Sequence, residues 1–263
     1  MRELSSEEVD IFDFLETRVA GKVSFYIETL DSKPLGLWNE PIVSFSLAFI
    51  PDDHKVITHF PTFGFCIESP YEEKELLKKL GAVLDRLNKR DVIVGHSVSC
   101  ELKCKKDLGW QYCQGYDLPK VLARSKNFGV NLDFIRNFRT YDIMDVAYGS
   151  FRHSDHGKLD SNGNPKKLLS VEELEDFFNI IRPKNAPKLG PKVRNYFAER
   201  KIKEILLYNS SDAIIEAIIH NIFEHKMNVC RAKDGLISFK DNCAHIPNPI
   251  EISKLRTWKL LEE

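Results

Sequence analysis

The sequence predicts an α/β fold, a mixed sheet flanked by helices with a C-terminal extension. Three observations carry that expectation. Two runs rich in β-branched and aromatic residues, 23–30 (VSFYIETL) and 42–49 (IVSFSLAF), come early in the chain. A helical pattern follows at 71–88, where Leu76, Leu77, Leu80, Val83, Leu84 and Leu87 recur at helical spacing. From 91 onward a short apolar strand, helices and a further strand alternate, the order expected of a sheet with covered faces.

Taken in order, residues 1–21 read as a helical or loose leader. Strand 23–30 puts Phe25 and Ile27 on one face and Ser24, Tyr26 and Glu28 on the other, because successive side chains alternate. Turn formers follow at 31–34 (DSKP), and a third strand is expected at 55–60. The run 91–95 (DVIVG) reads as a buried strand ending in glycine, 117–128 as a helix, and 140–146 as a strand or strand-to-helix junction. Residues 97–115 are irregular and rich in Cys and Lys, and 153–167, centred on DSNGNP, read as exposed loop. Ser170-Val171-Glu172-Glu173 is a capping box that should start a helix running to about 179. A long helix is expected at 202–224. The chain then divides into a leader, 1–21, a domain, 22–227, and an extension, 228–263, with strand-like 235–239 and helix-like 252–261.

Of the 263 residues, 43% are hydrophobic and 29% charged, the balance of a soluble globular protein. The longest apolar stretch, 41–50, is too short to cross a bilayer, so no membrane partner is expected. The N-terminus, MRELSSEEVD, is polar and acidic, unlike a secretory signal, and a cytoplasmic location is expected. Cysteines 66, 100, 104, 113, 230 and 243 then read as free thiols; the trio at 100, 104 and 113 lacks the tight CxxC pairs usual in structural zinc sites. Net charge is −1, so a nucleic-acid role must rest on a local patch. One segment offers it: between 182 and 203 stand Arg182, Lys184, Lys188, Lys192, Arg194, Arg200, Lys201 and Lys203, opposed only by Glu199. A solvated lysine-rich loop has the same composition.

Three carboxylates stand where apolar side chains would be expected. Glu28 ends an apolar strand, Asp117 opens a helix after Gly115-Tyr116, and Asp212 lies on a helical stripe with Ile205, Ile215, Ile219 and Phe223. A charge on a buried stripe must be paired, hydrogen-bonded or metal-bound. Tyr208 is one turn before Asp212 on the same face. Each acid alone has a plain structural reading, at a strand end, a helix N-terminus or beside a lysine. Together they point to an oxygen-rich Mg²⁺ or Mn²⁺ site.

The order of these residues resembles the DnaQ-like (DEDDy) 3′–5′ exonuclease superfamily. The likeness is closest to the proofreading domains of family B DNA polymerases and their stand-alone archaeal relatives. Ile27-Glu28-Thr29-Leu30 is similar to the first motif, Asp-x-Glu-Thr. Gly95-His96-Ser97 resembles the start of the second motif, and Tyr116-Asp117-Leu118-Pro119 with Arg124 its continuation. Asp142-Ile143-Met144-Asp145 resembles a family strand segment, and Tyr208-Asn209-Ser210-Ser211-Asp212 fits the third motif, Tyr-x3-Asp. The resemblance covers about 22–224 and departs from the family twice. About 18 residues separate the halves of the second motif, and the first-motif aspartate, the family's bridging metal ligand, is Tyr26. A neutral phenol is a poor Mg²⁺ ligand.

The resemblance implies an RNase H-like fold and a metal-dependent 3′–5′ exonuclease acting on single-stranded DNA or RNA, impaired by Tyr26. It implies a two-metal Mg²⁺ or Mn²⁺ site held by Glu28, Asp117 and Asp212, one metal being compromised, with Tyr208 orienting the attacking water. Asp31, Asp142 or Asp145 would be the neighbours able to replace the lost ligand. Lys188, Lys192, Arg194, Arg200 and Lys201 would hold the strand's phosphates. Phe63, Trp110, Tyr112 and Tyr196 are the aromatic candidates for stacking bases. The alternative is an inactive exonuclease-fold module that binds nucleic acid or serves an accessory role. The C-terminal extension is a candidate surface for a protein partner or self-association.

Overall fold

The computed structural model describes residues 1–30, 39–51, 59–87, 89–98, 116–144, 146, 170–186, 188–233 and 250–262, without the side chains of 191 and 225–233. Its centre is a mixed sheet of β1 (Arg2–Ser5), β2 (Lys22–Thr29), β3 (Ile42–Ile50), β4 (Thr62–Cys66), β5 (Val92–Gly95) and β6 (Arg139–Asp142). The strand order is β1-β4-β3-β2-β5-β6. The neighbours β1, β4, β3 and β2 run antiparallel to one another, while β5 and β6 run parallel to β2. With helices on both faces, this is the mixed α/β architecture of an RNase H-like fold.

Strand β3 is buried along its whole length, as a central strand covered on both sides must be. On one face, Phe25 and Ile27 of β2 join Phe45, Phe65 and the apolar stripe of α2 (Glu73–Asp85). Here α1 (Ile11–Thr17) and α3 (Asp117–Asn127) also pack. On the other face lie α6 (Ile202–Lys233), α4 (Val171–Phe177) and α7 (Arg256–Glu262), with α5 (Val193–Ala198) leading into α6. Helix α6 is nine residues longer than the expected 202–224 and is buried nearly all round from Ile205 to Asn221. It runs between the sheet and the outer helices, so no side of it is free for water. The approach to the sheet is close at Gly64, where an added Cβ would stand 2.9 Å from both Ser210 Oγ and Ser46 Oγ. Those two hydroxyls are 3.2 Å apart and hydrogen-bond across the interface.

Helix α3 is held by a buried ion pair. Arg124 donates through Nε to Glu73 Oε1 at 2.7 Å and through Nη1 to the Asn39 carbonyl at 2.6 Å, while Glu73 Oε1 also accepts from the Ile42 amide at 3.0 Å. One carboxylate therefore ties α2, α3 and the start of β3 together.

Two expectations change. Residues 1–21, expected as a helical or loose leader, contribute a strand and a helix to the fold: β1 is an edge strand paired with β4, and α1 is anchored by Arg18. Arg18 Nη1 donates to both oxygens of buried Asp91, at 3.1 and 3.2 Å, and Asp91 also accepts from the Gly21 amide at 2.6 Å. A strand runs over Thr62–Cys66; of the strand expected at 55–60, residues 55–58 lie outside the described residues. The described part of the extension, 250–262, belongs to the domain: β8 (Ile250–Glu251) pairs in parallel with β7 (Ile180–Ile181), and Ile252, Trp258 and Leu261 are buried in the core around α6. Thr257 Oγ1 accepts from the Phe60 amide at 2.6 Å. The capping box at Ser170 is present in full, with Glu173 returning the bond to the Ser170 amide. The loop at 153–167 and the strand-like run 235–239 lie outside the described residues.

Replacing fully buried Trp258 opens a cavity under α7. Trp258→Ala is expected to lower stability by about 3–5 kcal/mol, read as a reduced urea midpoint. An effect under about 1 kcal/mol would mean that α7 is not part of the core.

Candidate functional site

The site forms where one face of β2 meets one edge of α6. Ser24, Tyr26 and Glu28 share a strand face, and Tyr208, Asp212 and Glu216 recur every four residues on the helix. The two rows answer each other. Ser24 Oγ donates to Glu216 Oε2 at 3.1 Å, and the His96 amide donates to Glu216 Oε1 at 2.9 Å. Tyr26 sits among Asp212, Tyr208, Glu28 and Asp117: burial and then the charge of each raise its phenol well above the ordinary range. A strand irregularity between Glu28 and Thr29 ends the regular pairing with β3 beside the site.

The two separated stretches that resemble one second motif meet in space. The Ser97 carbonyl, just past β5, accepts from the amides of Tyr116 and Asp117, the latter at 3.3 Å. Asp117 thus opens α3 beside the end of β5 despite the intervening 99–115. Ser97 has φ 66°, a left-handed conformation uncommon outside glycine. Asp142 Oδ1 steadies that turn by accepting from the amides of Ser97 at 2.9 Å and Met144 at 3.1 Å. Gly95 is required for the approach, because a Cβ there would lie 2.8 Å from Val98 Cβ and 3.1 Å from the Phe25 carbonyl. The Tyr116 hydroxyl lies 3.3 Å from Thr29 Oγ1, linking the start of α3 to the end of β2.

Glu28, Asp117 and Asp212 are near enough for their charges to couple. Burial, then Asp212 and Asp117, push Glu28 well above the usual carboxylate range. Burial, then Asp142 and Asp212, do the same to Asp117. Asp212 is pushed up to about 6 by burial, against the opposing pull of Arg182. Glu216 is raised by burial and by Asp117. Tyr208, 2% exposed, is raised by burial, Asp212 and Glu28, and so holds its proton.

Arg182 is the residue that the pattern of motifs did not single out. Its side chain is only 8% exposed. Nε and Nη2 donate to the two oxygens of Glu175 at 2.7 and 2.8 Å, Nη1 donates to Ser211 Oγ at 3.0 Å, and Nη2 also donates to Asp212 Oδ1. Its carbon stands 5.5 Å from the Tyr208 ring centroid. Glu175 and Glu216 were likewise passed over, since both look like ordinary solvated glutamates of amphipathic helices.

The two-metal arrangement of the resembled family does not fit these residues. Its bridging carboxylate is the Tyr26 phenol, and one oxygen of Asp212 is taken by a guanidinium. Among the described residues, no group of three His, Cys, Asp or Glu side chains is placed to hold a metal ion. Asp142 spends Oδ1 on two amides, and Asp31 and Asp145 lie outside the described residues. Asp117 Oδ2 and Asp212 Oδ2 are nevertheless buried without a hydrogen-bond partner.

The basic segment is mostly engaged with its own chain. Lys188 Nζ is 3.6 Å from Glu175 and 3.7 Å from Asp176, Lys201 Nζ is 2.5 Å from Glu199, and Arg200 donates to the Glu68 carbonyl. Arg194 donates through Nε and Nη2 to the Leu30 carbonyl at 3.0 and 2.6 Å, which seats it at the exit of β2 beside the acids. It also meets Glu40 at 3.2 Å while staying 47% exposed. Lys192 is exposed. Of the aromatic candidates, Phe63 is fully buried against Phe14 and Phe49 and has no face for a base. Tyr196 is partly buried, with Lys201 Nζ 4.9 Å from its ring centroid; Trp110 and Tyr112 lie outside the described residues. Cys66 is a buried free thiol whose pKa burial pushes up to about 12; Cys100, Cys104 and Cys113 also lie outside the described residues.

No protein-family model matches the chain, and no curated protein matches it.

The raised carboxylates fix the sign of the pH dependence. A folded-state pKa above the unfolded value means that the native state binds more protons, so stability falls as pH rises through that interval. In metal-free buffer the native melting temperature should fall between about pH 4 and the folded pKa of the cluster. Glu28→Gln, which mimics the protonated acid, should melt higher than native at pH 7 and equal it near pH 4. Equal melting temperatures at both pH values would show that Glu28 is not held in an acid-repelling cluster.

Proposed function

We propose that this chain is an exonuclease-type RNase H-like protein that holds single-stranded DNA or RNA with its strand-cutting chemistry lost or nearly lost. The observation that carries the reading is Tyr26. It lies among Glu28, Asp117, Asp212 and Tyr208, the carboxylates and tyrosine expected at such a site, in the place of the family's bridging carboxylate. A neutral, bulky phenol brings neither the charge nor the second oxygen that a shared metal site needs. Loss of that electrostatic stabilisation is worth several orders of magnitude in a hydrolysis that depends on it.

Strand holding is supported by the convergence of the motif residues beside exposed cations. Lys192, and Arg194 at the exit of β2 where it is held by Leu30 and Glu40 yet 47% exposed, would meet the phosphates, with Lys188, Arg200 and Lys201 as further exposed but partnered cations. Phosphate contacts of this kind position a strand without reading its sequence. A specific observation favours a second reading, a working Mg²⁺- or Mn²⁺-dependent 3′–5′ exonuclease: the two unpartnered buried oxygens on Asp117 and Asp212.

Digestion of 5′-labelled single strands of DNA and RNA, with Mg²⁺, Mn²⁺ or EDTA, separates the two. The expected outcome is no shortening beyond the EDTA control. Binding should weaken with salt at a log–log slope of roughly −1 to −2, that of about two phosphate contacts. Lys192→Ala/Arg194→Ala should weaken it further. A metal-dependent ladder that vanishes in Asp212→Ala would establish the exonuclease instead. Binding that is absent, or indifferent to salt, would rule out a strand-holding role.

A further inference from the structure

We propose that the Arg182 guanidinium is a resident cation of this site, a side chain that neutralises Asp212 in place of a divalent metal and keeps such a metal out. The inference rests on the exonuclease-type reading of the site and not on strand holding.

Asp212 is 1% exposed, and a carboxylate at that depth needs a counter-charge. Arginine is suited to supply one permanently, since it does not give up its proton in proteins and presents a rigid fork of donors. Four donor contacts hold it: two to Glu175, one to Ser211 and one to Asp212. Burial alone would push the guanidinium down, but Asp212 and Glu175 hold it above its ordinary range.

The surrounding structure fixes this cation in place. Arg182 follows directly on β7, and Ile180 and Ile181 of β7 are paired with Ile250 and Glu251 of β8. Glu175 lies on α4, which starts at the full capping box of Ser170 and buries Val171 and Leu174. Helix α4 and the 250–262 segment thus press one guanidinium onto the third-motif aspartate. The other basic residues described in the same segment are exposed. A divalent ion at Asp212 would have either Oδ2 alone, beside a fixed positive charge, or both oxygens only by displacing a buried side chain with four hydrogen bonds and leaving Glu175, 1% exposed, with Lys188 at 3.6 Å. A plain structural ion pair makes no prediction about metals; a resident cation predicts that removing it creates affinity for one.

The test is Mn²⁺ titration of the full chain by calorimetry and by electron paramagnetic resonance, without nucleic acid. Native protein should bind no Mn²⁺ at Asp212, and its melting temperature should not move with added Mn²⁺. Glu175→Gln/Arg182→Gln removes both charges and keeps hydrogen-bonding groups; it should bind Mn²⁺ at least about tenfold more tightly than native, one power of ten in Kd. Adding Asp212→Asn should abolish the gain. Circular dichroism checks that the variants fold. Should the double variant fail to fold, Arg182→Gln alone, with Lys188 still beside Glu175, is titrated in its place: Mn²⁺ affinity above native upholds the proposal, and one Mn²⁺ per native chain, lost in Asp212→Asn, overturns it. Equal affinity in native and folded double variant also overturns it. Strand binding that fails while the Mn²⁺ pattern holds would remove the functional reading and leave this inference standing.

Discussion

The burial of Asp212 is the constraint around which the rest of the site is arranged. Helix α6 lies between the sheet and an outer layer, so a polar group on it has no access to solvent. The buried acids on it are met by partners inside the protein, because an unsatisfied buried polar group is costly and an unpaired charge more so. Glu216 is answered by the Ser24 hydroxyl and the His96 amide. Asp212 is answered by Arg182, which itself needs Glu175. Around that pairing stand α4, which carries Glu175, the short β7–β8 pairing next to Arg182, and 250–262, which docks through buried Ile252, Trp258 and Leu261.

The same cluster links stability to chemistry. Glu28, Asp117 and Glu216 are all driven toward their protonated forms by burial and by the charge of Asp212, with Asp117 also acting on Glu28 and Glu216, and Asp142 on Asp117. Carboxylates held together without enough counter-charge work against the folded state near neutral pH. Proteins tolerate such arrangements at sites that handle charge, or retain them after the handling has changed. Here one of the expected acids is a tyrosine, and one of those remaining is bound to a guanidinium. Both features lower the negative charge of the cluster, and both move it away from a shared metal site and toward a site that satisfies itself.

Much of the fold was legible because its signals are local. Alternation placed Ser24, Tyr26 and Glu28 on one face of β2, and the structure directs that face to α6. The leucine spacing gave α2, and Ser170 with Glu173 gave the start of α4. Other elements were misread where the signal was weak or nonlocal. The four residues of β1 have no marked pattern of their own and become a strand only by pairing with β4. The extension looked unattached because a two-residue strand such as β8 exists only through its partner.

The sequence by itself determined the order of these residues, the faces they occupy and the presence of Tyr26 where the resembled family has an aspartate, since these are matters of identity and period. Only the tertiary structure decided what each acid meets. The two stretches that resemble one second motif are joined by the Ser97 carbonyl across a gap in the chain, and Asp212 is paired across 30 residues with an arginine that read as one more cation in a basic run. Pairings of that kind depend on which side chains are carried out of water together, and the fold sets that, not the spacing along the chain.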